Sequence, residues 1–180
     1  MVTEFTRCVE MTSRFLTPLI LLCLVVTACD PEPAAPTLPG AQVPAEQELA
    51  LRALTDFFEH LNAGRYPEAS QLFGGSYQVV VDHNPNLAPQ DHAALLRSAC
   101  TTNGFRCLRT QSARLQEQMP ARAEFCFLVE FSTPEGELFV RGPCCGASET
   151  EMPPQSAFTF AVIRGEDGVY RVQDLPVYVP

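Results

Sequence analysis

The sequence predicts an α+β domain in which helices come first and an antiparallel sheet follows. Three observations predict it. Apolar residues recur at helical spacing between Glu46 and Thr102, a period of two takes over after Cys107, and turns rich in Gly and Pro punctuate the second half. With 46% hydrophobic residues, the 180-residue chain has enough apolar side chains for one domain plus attachments.

The attachments come at the start. From Met11 to Cys29, Arg14 precedes a run of about a dozen mostly apolar residues, Phe15 to Val26, which is shorter than the roughly 20 a membrane-spanning helix needs. The run closes on Val26-Thr27-Ala28-Cys29. This resembles the lipobox of bacterial lipoproteins: an aliphatic residue, two small ones, then a cysteine that is acylated and becomes the new N-terminus. The resemblance implies a signal peptide over 1–28, a lipidated Cys29 and a domain held outside the cytoplasm on the cell membrane. Two or three acyl chains, at about 0.8 kcal/mol per buried methylene, make such an anchor stable. Glu4 and Glu10 are unusual ahead of a signal sequence, which points to a start at Met11. Asp30, next to the lipidated position, leaves inner and outer membrane both open. Between Asp30 and Pro44, the prolines at 31, 33, 36, 39 and 44 forbid a helix and favour an extended, semi-rigid spacer.

The folded domain is expected over 45–180. Its first helix runs from Glu46 to Ala63, with Leu51, Leu54, Phe58 and Leu61 on one face and Gly64 as the stop. A shorter helix spans Pro67 to Phe73 and ends at Gly74-Gly75. Tyr77 to Val81 reads as a short strand. A third helix spans Pro89 to Thr102, carries Leu95, Leu96 and Ala99, and stops at Asn103-Gly104. Four or five strands follow. Leu108 to Gln118 is one; Ala121 to Ser132 alternates strictly; Thr133 to Gly136 turns it back through Glu137 to Arg141; Ser156 to Arg164 and Val169 to Val172 make a second hairpin about Gly165 to Gly168. ALRALTDFFEHLNAGRYPEASQLF and FTFAVIRGEDGVYRVQDLPV resemble the nuclear transport factor 2-like (cystatin-like) superfamily, in particular its bacterial lipoproteins. The resemblance implies two or three helices across a curved sheet, a cone with an open end. The superfamily includes isomerases, dehydratases, cyclases and non-catalytic binding proteins, so fold does not choose the function.

Composition removes several classes. Twelve basic residues against 21 acidic give a net charge of −9, which repels phosphate backbones and argues against nucleic acid. Every basic residue is Arg; without Lys there is no Schiff base and no P-loop lysine. No G-x-S-x-G, G-x-G-x-x-G, H-E-x-x-H or C-x-x-C occurs, and no cofactor or metal is expected. Asp82-His83 and Asp91-His92 pair carboxylate with imidazole, but adjacent residues seldom converge on one point, and Asp91 suits the first turn of the third helix. Pocket candidates are Asp56, Tyr66, Tyr77, Asp82 and His83, with Phe125 and Phe127 either lining the pocket or simply forming core. No catalytic residue is assigned.

An oxidising compartment makes disulfides the default for the five cysteines beyond Cys29. Cys100 and Cys107 flank a short loop and are expected to bridge. If the turn centres near Pro134-Glu135, facing residues on the hairpin sum to about 270, which sets Cys126 opposite Cys144 or Cys145. The leftover thiol could join a second chain as a homodimer, bind a soft metal, pair with its neighbour, or stay buried. The expected function is non-catalytic binding of a small apolar molecule or an envelope protein. Two alternatives stand beside it: a pocket isomerase, lyase or hydrolase using Asp56, Asp82 or His83, and a thiol-dependent interaction module at Cys144-Cys145.

Overall fold

The computed structural model describes residues 45–180. The leader, Cys29 and the Pro-rich stretch lie outside the described residues. Helix α1, Ala45–Asn62, buries Ala50, Ala53, Leu54, Phe57, Phe58 and Leu61, one stripe at spacings of three and one. It ends where Gly64 takes φ 71° and the Arg65 amide donates to the His60 carbonyl. Helix α2, Tyr66–Gln71, starts with Pro67 in its first turn. Helix α4, His92–Thr101, is capped by Asp91, whose Oδ1 accepts from the Ala94 amide at 3.0 Å; it buries Leu95, Leu96 and Ala99.

The expected strand at Tyr77 to Val81 is instead helix α3, Gln78–His83. The valines at 79–81 favour a strand by propensity, but local bonds and packing win. The Ser76 hydroxyl accepts from the Gln78 amide at 3.1 Å. At the other end the Asn84 amide group donates to the Val80 carbonyl at 2.6 Å. Val80 is fully buried and joins the cluster of Leu95, Ala99 and Phe105.

Among the described residues, four antiparallel strands form the main sheet in the order β2-β3-β4-β5: Arg109–Met119, Glu124–Ser132, Ala157–Arg164 and Tyr170–Val172. A separate two-stranded ribbon pairs β1, Phe105–Arg106, with β6, Val177–Tyr178. The α+β class and its antiparallel pairing therefore hold; the ribbon is an addition. Strand β3 is central, and Glu124, Phe125, Cys126 and Phe127 are all buried, so the strict alternation read from sequence fails over its first half.

The return strand expected at Glu137 to Arg141 is only a stub. Ser132 does face Leu138, a sum of 270 as predicted, and the Phe139 amide donates to the Phe131 carbonyl at 2.8 Å. The chain then leaves, and β4 takes that side of β3, setting Ala161 opposite Cys126.

The core lies between α1 and the sheet. Phe58 is its hub, with ring centroids 5.1 Å from Phe57, 4.8 Å from Phe131 and 4.9 Å from Phe160, all edge-on. No described helix is long and apolar enough to cross a membrane.

Candidate functional site

The expected pocket residues line neither of the two cavities described below. Phe125 and Phe127 are buried members of the main core, the second of their two readings. Asp56 is half-buried on α1. Tyr66 is half-buried at the start of α2, with the Arg97 guanidinium 5.6 Å above its ring. Asp82 and His83 are exposed at the end of α3 and spend their polar atoms locally. Asp82 accepts from Gln78 Nε2 at 2.7 Å, and His83 Nδ1 lies 2.6 Å from the Val79 carbonyl oxygen. Tyr77 meets His92 instead, in a parallel stack at 4.2 Å, and Phe73 edge-on at 4.8 Å. Its hydroxyl is buried without a hydrogen-bond partner among the described residues, and burial pushes the phenol well above its ordinary range.

The sulfur chemistry divides. Cys100 and Cys107 form a disulfide, as their spacing predicts, with Cα atoms 5.4 Å apart. The expected bridge from Cys126 to Cys144 or Cys145 is not made: both of those carry free thiols. The physical reason is the short hairpin. Its register would have brought them opposite Cys126, but β4 occupies that place.

An open concavity lies elsewhere, where the end of α1 meets the start of β2 and the β3 turn. A cavity of about 540 Å3 is lined there by Asn62, Arg109, Thr110, Gln111, Ser132, Thr133, Pro134 and Gly136. A second, of about 350 Å3, continues it along the groove between α1 and β2, sharing Arg109, Thr110 and Gln111. Asn62 donates from Nδ2 to the Cys107 carbonyl at 3.1 Å, which ties the helix end to the strand entry. The Thr110 and Thr133 hydroxyls are both buried, and neither has a hydrogen-bond partner among the described residues. Such groups cost free energy unless something satisfies them.

No protein-family model matches the chain, and no curated protein is similar to it. The geometry alone therefore carries the functional reading.

Strand β2 supplies the rest of it. Among the described strands it is an edge, paired with β3 only, and eleven residues long. Its N–H and C=O groups on the open side can accept another strand. Arg106, Arg109, Arg114 and Arg122 lie on or beside it, accompanied in that stretch by the single acid Glu117. None of these four is in an ion pair with a described residue, whereas Arg65, Arg164 and Arg171 each have one. Sequence reasoning missed this site. The arginine cluster was visible; the meeting of residues 109–111 with 132–136 depends on the β2-β3 pairing.

Proposed function

We propose that the protein is a bacterial lipoprotein, acylated at Cys29 and held outside the cytoplasm, whose nuclear transport factor 2-like domain binds an extended acidic segment of an envelope protein along β2. The leader and the Val26-Thr27-Ala28-Cys29 motif support the anchor. The observation that carries the binding half is the arginine row, without an ion pair among the described residues, on the edge that the described strands leave open, beside the cleft at Thr110 and Thr133. Strand addition supplies main-chain hydrogen bonds, and alternate side chains of the guest supply specificity. Carboxylates spaced along the guest match Arg109 and Arg114. The small apolar ligand draws no support from the interior, where the rings around Phe58 occupy the space between α1 and the sheet. Catalysis draws none from Asp82 or His83.

The test has two arms. Radiolabelled palmitate should enter the wild-type chain and not Cys29→Ser; equal labelling would remove the anchor. A photo-crosslinking side chain at Gln111 should trap one envelope protein in intact cells, and the adduct should disappear with Arg109→Glu/Arg114→Glu. The same probe at Val169, exposed on the far edge hairpin, should give none. Equal trapping at both places would remove the β2 site.

A further inference from the structure

The connection from β3 to β4 is closed at its neck. Arg141 and Gln155 exchange main-chain hydrogen bonds at 2.8 and 3.0 Å, and an Arg141 guanidinium nitrogen also donates to the Gln155 side-chain oxygen. Inside this neck the chain folds back on itself. The Ala147 amide donates to the Cys144 carbonyl at 3.0 Å, and the Met152 amide to the Ser148 carbonyl at 2.9 Å.

Three sulfur atoms are thereby gathered. The Cys145 thiol donates to the Cys144 sulfur across 2.9 Å, and Met152 Sδ accepts from the Cys144 amide at 3.4 Å. Cys145 holds φ at 61°, a left-handed conformation that a residue with a Cβ seldom adopts, and it is this conformation that accompanies the contact of the two thiols. Glu151 is engaged within the loop, where it accepts from the Ser148 amide and hydroxyl at 2.9 and 2.8 Å.

We propose that Cys144, Cys145 and Met152 form a binding site for a soft monovalent cation of the cuprous type. Two thiolates and a thioether are the donor set that selects such an ion over hard divalent ions, which prefer oxygen. On binding, each thiol releases its proton to solvent as its sulfur–metal bond forms, and the metal keeps its oxidation state. At metal–sulfur distances of about 2.3 Å, sulfurs around a trigonal ion stand ~4 Å apart. The two thiols therefore part by about 1 Å, within reach of a side-chain rotation at exposed Cys145. The hydrogen bond with Cys145 raises the Cys144 thiol, and the Arg141 guanidinium at the neck opposes that rise.

The full chain, reduced and kept anaerobic, is titrated with Cu(I) against a chromophoric cuprous chelator. Wild type should take up one more equivalent than Cys144→Ser/Cys145→Ser, the copper held by other cysteines cancelling in the comparison. Met152→Leu should keep that equivalent and lose about tenfold in affinity, the low end of what altered ligand shells cost. Ag(I) added to wild type should shift the Met152 methyl resonance, a readout that needs no variant; Zn(II) should not. Equal stoichiometry in wild type and the double variant, or a Met152 methyl indifferent to Ag(I), overturns the site.

Discussion

At the level of single residues, two covalent or charged pairs have consequences that can be measured. The Cys100–Cys107 disulfide joins the end of α4 to the approach of β2, across a sequence separation of seven. Closing a loop of this length is worth roughly 2.5 kcal/mol in the chain-entropy description. Cys100→Ala/Cys107→Ala should lower the urea-unfolding free energy by about that amount relative to the oxidised protein. Asp167, in the β4–β5 turn, accepts from Arg171 at 2.9 and 2.6 Å and from the Val169 amide at 3.1 Å. The Arg171 hydrogen bonds above all, then the amide, hold its carboxyl down at about 2. A carboxyl depressed on folding stabilises the native state above its unfolded pKa, near 3.8, and that stabilisation is lost as pH falls toward 2. Between about pH 4 and pH 2, the melting temperature of Asp167→Asn should fall less steeply than that of wild type. The pair is exposed, so the difference will be small.

Elements meet where small residues let them. Gly74 and Gly75 lie just after α2, and the sequence presents them as its stop. The structure gives them a second task, because the chain here runs against β5. The Gly74 amide donates to the Val172 carbonyl at 2.8 Å, and the Val172 amide to the Leu72 carbonyl at 2.9 Å. A Cβ on Gly75 would collide with the Gln173 main-chain carbonyl, which cannot swing aside as a side chain could. Gly75→Ala should therefore cost about 1–3 kcal/mol, the range for overpacking. Gly142→Ala, with open space around it, should stay within about 0.5 kcal/mol. Urea midpoints of the two variants check both. The pair also shows what the sequence discloses. Local patterns are legible: the α1 stripe, the Cys100–Cys107 staple and the turn register at Ser132 and Leu138 all follow from neighbours a few residues apart. What depends on distant chain is not. The valines of α3 are helical because Val80 packs on α4, Cys126 misses Cys144 and Cys145 because β4 intervenes, and the cleft unites Thr110 with Thr133 only through the sheet.

For the molecule as a whole, the decisive property is an uneven charge. The chain is acidic by nine charges, yet a third of its arginines sit between Phe105 and Arg122. Such a row would be repelled by nothing in an acidic partner and drawn to it from a distance, while the rest of the surface turns the same partner away. The proposed tether adds to this, since a membrane-held domain meets envelope proteins in two dimensions rather than by free diffusion. If charge directs the contact, its strength must depend on salt, because exposed charges are screened beyond about 8 Å at physiological ionic strength. Adduct yield from the Gln111 probe should therefore fall steadily as salt rises from about 0.05 to 0.5 M, over which the screening length shrinks roughly threefold. Arg109→Glu/Arg114→Glu should flatten that dependence without moving the melting temperature, since neither arginine is paired within the domain. A yield that rises with salt would instead mark the contact as apolar, with Leu49 or Val79 the exposed side chains to test next.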